Sequence, residues 1–310
     1  MENTRAKTTR NSLILLLTAT IWGMAFVSQS KGMDYTHPFT FNGVRSLIGA
    51  AGILVYILIS RKIAGDKAAK LDWKLNVKAG LLCGIFLTIA STLQQFGIKY
   101  TSVGKAGFIT TLYIIFVPMF GIFLKKKVAP VVWAAAGMAA VGMYLLCMTE
   151  SLRLGAGDIM VFLCAIAFAI QIMTVDHYAA RIDGAVVSCI QFTVCGVVCC
   201  IGALIWGQPT FGQIQEGLGA LLYAGVLSCG VGYTLQIVGQ KGLNPTVAAL
   251  IMSLESVIAT ISGWIAYKIG FLSTDQTLTP RQIAGCIIVF AAVILVQLPP
   301  EWFRFGKKNA

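Results

Sequence analysis

Ten apolar stretches follow one another along the chain, separated only by short polar connections. A helix that crosses the hydrocarbon core of a bilayer needs about 20 mostly apolar residues. The stretches cover residues 11–30, 39–60, 75–98, 101–124, 128–148, 157–178, 184–206, 217–239, 244–268 and 280–298. Charged residues make up 12% of the chain, whereas soluble domains contain about 25%. The sequence therefore predicts an all-α integral membrane protein with ten transmembrane helices.

The formal net charge of +12 is best explained by membrane topology. Lys and Arg collect near the N-terminus, in residues 61–78, in the run 125–127 and near the C-terminus. The positive-inside bias assigns these segments to the cytoplasm. We therefore expect a multi-pass protein of the inner or plasma membrane with both termini cytoplasmic. Membrane lipid is its expected surrounding, and no nucleic-acid partner is expected, because the basic segments carry no DNA-reading motif.

Cysteine and histidine patterns give no support for metal or redox chemistry. The nine cysteines all lie in apolar stretches without a CxxC pair, and the two histidines, His37 and His177, both lie away from the middle of a stretch. A membrane enzyme would need a cluster of His, Asp or Glu side chains at one membrane face, and the sequence contains none. We expect no metal, no cofactor and no catalytic residues.

Two stretches of the chain repeat each other, TLQQFGIK at 92–99 and TLQIVGQK at 234–241. The alignment extends over 91–113 and 233–255, and it pairs Gln94 with Gln236 and Tyr113 with Glu255. It divides one membrane domain into residues 1–150 and 151–310, with five helices each. Because five is odd, the second half must enter the membrane in the opposite orientation. This inverted-topology repeat is typical of secondary transporters, whose substrate site lies near the midplane between the halves.

Several stretches resemble a known family of carriers. They are ATIWGMAF, FNGVRSLIGA and GFITTLYIIFVPMF in the first half, and AALIMSLESVIA and LTPRQIAGCIIVFAAVIL in the second. In this order and spacing the whole chain is similar to the EamA branch of the drug/metabolite transporter superfamily. The resemblance implies that small organic solutes are exported or taken up by alternating access. Relatives often read Leu-Glu-Pro where this chain has Leu254-Glu255-Ser256, so the resemblance does not predict a kink beside Glu255.

Glu255 is the strongest candidate for the substrate site, because it lies near the middle of the ninth apolar stretch. A carboxylate at this depth costs at least about 2.5–3.5 kcal/mol on insertion scales, so such residues usually line a cavity. Glu255 could bind a cationic substrate or exchange a proton. Alternatively, it is protonated and hydrogen-bonded to a neighbouring helix.

Further candidates are polar or aromatic side chains within the apolar stretches. Arg45 could bind a substrate carboxylate, pair with Glu255 or extend to the lipid headgroups. Trp22 could stack on a substrate or fill a helix interface. The remaining candidate substrate contacts are Tyr113, Gln171, Tyr233, Gln94, Gln95 and Gln236. Gln94 and Gln236 are expected at the rim of the cavity, nearer the membrane surfaces than Glu255.

These features predict a secondary transporter for a small polar or amphipathic metabolite, with a cavity lined by the first to fourth and sixth to ninth helices. The substrate classes favoured are an amino acid or related compound, or a cationic organic solute, moved by alternating access with proton coupling through Glu255. A sugar-phosphate or nucleotide-sugar exchanger and a non-transporting membrane protein remain alternatives. Small-residue runs predict that the fifth and tenth helices lie at the periphery or in a homodimer interface.

Overall fold

The computed structural model describes residues 2–65, 71–101, 103–124, 129–147, 155–273 and 276–297, and these residues contain helices but no strand. The ten main helices of this described part are α1 Glu2–Gly32, α2 Pro38–Ala64, α3 Trp73–Tyr100, α4 Val103–Phe123, α5 Pro130–Cys147, α6 Ala156–Tyr178, α7 Gly184–Gly207, α8 Leu218–Gln240, α9 Pro245–Lys268 and α10 Pro280–Gln297. A short helix, Phe211–Glu216, joins α7 to α8. The predicted ten-helix membrane fold is confirmed.

Several of these helices have a polar N-cap side chain that accepts hydrogen bonds from free backbone N–H groups of the first turn. His37 Nδ1 accepts from the N–H of Phe39 at the start of α2, and Asp183 Oδ1 accepts from Ala185 and Val186 at the start of α7. Asn244 caps α9 just before Pro245, which suits the first helical position because proline has no N–H. These residues fix where the chain enters the bundle again after each short loop.

The two halves of the chain run in opposite directions through the bundle. Asn11, early in α1, donates to the carbonyl of Lys241 at the end of α8 (2.7 Å), and Lys241 Nζ donates to the carbonyl of Ile182, just after α6 (3.2 Å). The beginning of α1 and the end of α6 therefore share one face of the bundle. Because α1 and α6 are equivalent in the repeat, the second half is inverted. We call this face, where α1 begins, the terminal side, and the other the opposite side.

Helix packing shows the same two-fold relation: each contact between two helices has a counterpart between their equivalents in the other half. Helix α3 packs against α6, and its equivalent α8 packs against α1; likewise α4 packs against α6 and α9 against α1. Helix α2 packs extensively against α7, its equivalent in the other half, and α5 packs in the same way against its equivalent α10. Helices α5 and α10 thus pack mainly on each other, beside the eight helices that surround the centre.

The glycine of each TLQxxGxK stretch lies where two helices approach closely. A methyl group on Gly97 would lie 2.3 Å from Val161 Cγ2 and 2.9 Å from the carbonyl oxygen of Gly157, both in α6. A methyl group on Gly239 would lie 2.8 Å from Leu15 in α1. Without a side chain, these positions let the backbones of α3 and α6, and of α8 and α1, pack directly.

Helices α4 and α9 are interrupted at equivalent residues, Leu112 and Leu254. At each interruption the backbone tightens to hydrogen bonds three residues apart, from Leu112 N to the Ile109 carbonyl (3.2 Å) and from Leu254 N to the Ile251 carbonyl (3.2 Å). Nearby hydroxyls add bonds to backbone carbonyls, Thr111 to Phe108 and Ser253 to Leu250. A tightened turn of this kind interrupts a helix without a proline and without leaving the backbone unsatisfied.

Four rings pack together on the opposite side, where α2 begins and α3 and α7 end; we call His37, Phe39, Phe96 and Trp206 the aromatic cluster. Phe39 stacks on Trp206 with the ring centroids 5.6 Å apart, and Phe96 meets the rings of Phe39 and His37 edge-on. Burial, together with the nearby Lys99 charge, lowers the pKa of His37. The imidazole is therefore neutral at pH 7, which suits both its place among the rings and the hydrogen bond that Nδ1 accepts.

We expect Gly97→Ala to lower the stability of the bundle by about 1–3 kcal/mol, because the new methyl group would overpack the contact between α3 and α6. Thermal unfolding of the purified protein in detergent would measure the change. Gly52→Ala in α2 is the matched control, because a methyl group there has no neighbouring atom within 4 Å. Equal unfolding temperatures for the two variants would contradict the packing role of Gly97.

Candidate functional site

A small cavity lies at the centre of the bundle, between the two halves. Its volume is about 30 Å³, enough for one or two water molecules. The lining side chains come from α1, α2, α3, α4, α6, α8 and α9: Trp22, Phe26, Gln29, Arg45, Gln94, Thr110, Tyr113, Phe168, Gln171, Ile172, Ser228, Tyr233, Gln236 and Glu255. Helix α7, which the sequence also suggested for the lining, contributes no side chain to this set.

Glu255 and Tyr113, the first residues after the two interruptions, meet across the cavity. Tyr113 donates its hydroxyl hydrogen to Glu255 Oε1 at 3.0 Å, and the two side chains are 2% and 4% exposed. The interruptions of α4 and α9 therefore bring together the side chains that the repeat pairs. No other hydrogen bond to the Glu255 carboxyl occurs within the described residues, so one oxygen is available to a ligand or a proton.

Trp22 and Tyr233 form an aromatic wall of the cavity, with ring centroids 4.5 Å apart. Gly232 permits this arrangement, since a methyl group there would lie 2.7 Å from Trp22 Nε1. The preceding residues Tyr223–Gly232 form a π-helix, whose wider turn positions Ser228 and Tyr233 at the cavity; such segments are frequent at functional sites. The indole N–H of Trp22 has no hydrogen-bond partner among the described residues although it is buried.

Arg45 is held inside the bundle and does not extend to the headgroups. It is 6% exposed, and its guanidinium lies over the ring of Phe41, 5.4 Å from the ring centre. Its Nε is buried without a hydrogen-bond partner, and within the described part of the chain no ion pair joins Arg45 to Glu255. The cavity thus contains a cation and an acid that do not neutralise each other directly.

Side-chain amides from both halves complete the wall. Gln171 and Gln236 exchange hydrogen bonds, the shorter being 3.2 Å from Gln236 Nε2 to Gln171 Oε1, and Gln94 donates to Thr110 Oγ1 at 3.2 Å. The buried Oε1 of Gln29 accepts no hydrogen bond from the described residues. Gln94 and Gln236 therefore line the cavity itself, deeper than the rim position suggested by the sequence.

The cavity retains the two-fold relation of the repeat. The sequence offset that relates Gln94 to Gln236 also relates Gln29 to Gln171 and Phe26 to Phe168, and all six residues line the cavity. The same offset relates Tyr113 to Glu255, where the residue types differ. The glutamines and phenylalanines that line the cavity thus form like pairs between the two halves, whereas the acid Glu255 is paired with a tyrosine.

Eight of the nine candidates taken from the sequence line this cavity: Glu255, Trp22, Arg45, Tyr113, Gln171, Tyr233, Gln94 and Gln236. Gln95 lies outside the wall, fully buried, where its Nε2 donates to the Gln29 carbonyl in α1 at 3.2 Å. Its role here is to join α3 to α1. Six further lining residues were not among these candidates: Phe26, Gln29, Thr110, Phe168, Ile172 and Ser228. The repeat offset could have found the two phenylalanines, because it applies to α1 and α6 as well.

Metal binding finds no support in this site. Within the described residues, no three His, Cys, Asp or Glu side chains are close enough to hold a metal ion. The polar groups of the cavity are one carboxyl, one guanidinium, amides and hydroxyls. This set suits hydrogen bonding and charge pairing with an organic solute.

The model of the EamA-like transporter family matches residues 10–148 and 155–298. The chain belongs to the EamA-like transporter family. Each matched stretch contains five of the ten helices, and together they cover nearly the whole chain. The protein is therefore a multi-pass membrane transporter, and the central cavity is the candidate site for its substrate.

Relatives of this transporter extend over nearly its full length. A protein of Archaeoglobus fulgidus called an uncharacterized transporter is 27% identical over 92% of this chain and 84% of its own length. The uncharacterized transporter YwfM of Bacillus subtilis is 24% identical over 94% of both chains. A solved crystal structure shares the fold, with a TM-score of 0.74 and 16% identity over 96% of this chain and 99% of that one.

We expect Tyr113→Phe to destabilise this transporter by about 1–3 kcal/mol, because it leaves a buried carboxyl without its hydrogen-bond donor. Tyr144→Phe in α5, where the side chain is 39% exposed, is the control. Reversible unfolding in mixed micelles would measure both variants. Combining Tyr113→Phe with Glu255→Gln should cost less than the sum of the single changes, since contacting residues are coupled. Strict additivity would contradict the contact.

Proposed function

We propose that this transporter moves a small zwitterionic metabolite, an amino acid or related compound, across the cytoplasmic membrane by alternating access. The observation that carries the proposal is the separation of charge in the cavity, where Arg45 and Glu255 are buried without pairing directly. A buried charge is costly unless it is paired. A solute that brings both a carboxylate and an ammonium would satisfy the two residues at once.

Unpartnered donors support the assignment of the two ends of the solute. The Nε of Arg45 and the Nε1 of Trp22 are both buried without an acceptor among the described residues, and a carboxylate could accept from both. The ammonium then points to Glu255, whose second oxygen is available, and the face of Trp22 or Tyr233 offers a cation–π contact. A cationic organic solute without a carboxylate would use only the Glu255 half of this arrangement.

The size of the cavity supports alternating access. Ligand cavities usually have volumes of about 300–1,000 Å³, whereas this one has a volume of about 30 Å³. The bundle must therefore open for a solute to enter. The turns at Leu112 and Leu254 are the natural hinges, since each allows half of α4 or α9 to move relative to the other half.

The proposal also includes the orientation of the protein in the membrane and the coupling of transport to protons. We assign the terminal side to the cytoplasm, because basic residues at the end of α2 and the start of α3, namely Arg61, Lys62, Lys74 and Lys78, lie on that side. Glu255 is well suited to proton coupling because it lies near the middle of its apolar stretch, whereas acids such as Asp158 and Asp176 lie near the ends of theirs. A proton and an ammonium group would compete for its carboxylate.

A sugar-phosphate or nucleotide-sugar substrate fits this cavity less well. Phosphate recognition normally uses several cationic side chains, and Arg45 is the one Lys or Arg that lines the cavity within the described part of the chain.

Binding measurements would test the substrate class. We expect a panel of amino acids, amines and carboxylates to contain compounds that raise the thermal unfolding temperature of the purified transporter. Arg45→Gln and Glu255→Gln should each weaken such binding roughly 10- to 100-fold, the factor expected for a lost hydrogen bond to a charged group. Arg281→Gln, an exposed change on the opposite side, is the control. Binding that neither cavity change affects would contradict this site.

Flux measurements would test proton coupling. In proteoliposomes, the wild-type protein should transport the solute found in the panel faster when an imposed proton gradient drives it. Glu255→Gln should remove that response because the amide cannot release or accept the coupled proton, while solute exchange without a gradient persists. An unchanged response to the gradient in Glu255→Gln would separate proton coupling from this residue.

A further inference from the structure

A second cavity opens on the terminal side, separate from the central one. Its volume is about 620 Å³, and we call it the basic cavity. It lies between the ends of α2 and α8, the beginnings of α3 and α7, and the loop before α7. Its lining is Tyr56, Ile57, Ser60, Arg61, Ala64, Leu71, Asp72, Asn76, Ala180, Arg181, Ile182, Asp183, Gly184, Ala185, Thr234, Val238 and Lys241.

Among the described residues, three cations and two acids line this space, and their hydrogen bonds differ. Asp72 Oδ1 accepts from Leu75 N at the start of α3, and Asp183 Oδ1 accepts from two N–H groups at the start of α7. Both acids are thus engaged in capping helices. The guanidinium groups of Arg61 and Arg181 have neither a hydrogen bond nor an ion pair within the described residues, and Lys241 donates only to a backbone carbonyl.

The repeat shows which side chains take the equivalent positions on the two sides of the bundle. His37 and Asp183 are the N-caps of the equivalent helices α2 and α7. Aligning the two helices at these residues pairs Phe39 with Ala185 and Trp206 with Ser60, and the TLQxxGxK alignment pairs Phe96 with Val238. The aromatic cluster thus corresponds to four positions that line the basic cavity. On the opposite side four rings therefore fill the place that small side chains line here. Aromatic side chains take these positions in one copy, whereas in the other copy small side chains line a cavity beside three cations.

Apolar side chains also border the cavity. Tyr56 borders it and is 60% exposed on the outer surface of α2, and Ile57 from α2 and Val238 from α8 continue this apolar border inward. Helix α2 packs against the earlier part of α8, Tyr223–Gly232, so the cavity lies beside the later part. A molecule seated here would touch cations at one end and apolar side chains at the other.

We propose that the basic cavity binds the phosphate headgroup of an anionic phospholipid. The phosphate lies among Arg61, Arg181 and Lys241, with the glycerol and the start of one acyl chain between α2 and α8. A lipid in this place packs against α8, the helix that carries Tyr233 and Gln236, so it stabilises the arrangement around the central cavity. This site takes a different ligand from the transported solute and does not depend on that solute's identity.

Native mass spectrometry of the full-length transporter in detergent, with added phosphatidylglycerol or phosphatidylcholine, would test the proposal. The wild-type protein should bind phosphatidylglycerol more tightly. Arg61→Gln, Arg181→Gln and Lys241→Gln should each lower that affinity roughly fivefold, the factor expected for one cation near anionic lipid. The control combines Lys99→Gln, Lys268→Gln and Arg281→Gln, which remove three exposed cations from the opposite side and should leave the preference unchanged.

Three results would overturn the proposal. The first is an equal loss of affinity in the control, which would indicate a general charge effect. The second is displacement of phosphatidylglycerol by inorganic phosphate at matched concentration, which would assign the cavity to a free anion. The third is an unchanged lipid preference in the double variant of Arg61→Gln and Arg181→Gln, which leaves the Lys241 contact to Ile182 intact and so keeps the test valid if Lys241→Gln fails to fold.

Discussion

Backbone groups within the hydrocarbon core must find their hydrogen-bond partners inside the protein. The interruptions of α4 and α9 are possible only because they satisfy this requirement. At Leu112 and Leu254 the helix tightens for one turn, and hydroxyls of Thr111 and Ser253 bond to nearby carbonyls. Each helix can therefore be interrupted within its apolar stretch while the backbone keeps hydrogen bonds at the turn. Because Tyr113 and Glu255 follow immediately, the same turns determine where the acid of the central cavity lies.

Around these turns, close packing and cavities have separate roles. Gly97 and Gly239 bring backbones together at equivalent places, near opposite sides of the membrane. The centre, by contrast, contains polar side chains with hydrogen-bonding capacity left over: the indole of Trp22, the guanidinium of Arg45 and the amide of Gln29. Unused donors and acceptors of this kind are costly in a protein interior. Their collection in one cavity distinguishes the candidate site from the ordinary packed interior.

Much of the fold could be predicted from the sequence, because the length of an apolar stretch and the repeat of TLQxxGxK are strong signals. Because each half has an odd number of helices, the sequence also predicted that the second half is inverted. The contact of Asn11 with Lys241 agrees with this inversion. The interruptions were not predicted. Their turns use leucine, serine and threonine, which also occur in unbroken helices, and the proline that would have marked α9 is absent. The position of Gln94 and Gln236 depends on how α3 and α8 lean across the bundle, and spacing along one helix cannot show that.

The unlike pair formed by Tyr113 and Glu255 has an energetic consequence. In an inverted repeat, exchanging the conformations of the two halves turns a carrier that faces one compartment into one that faces the other. If the halves were chemically identical, these two states would have equal free energies in a symmetric membrane. Here the phenol and the carboxylate would exchange surroundings, so the states differ in energy and in affinity for solute. Under the proposed alternating access, the resting carrier would favour the state open to one side of the membrane. Half-saturation would then differ between the two sides, although the gradients alone would still decide the net direction of flux.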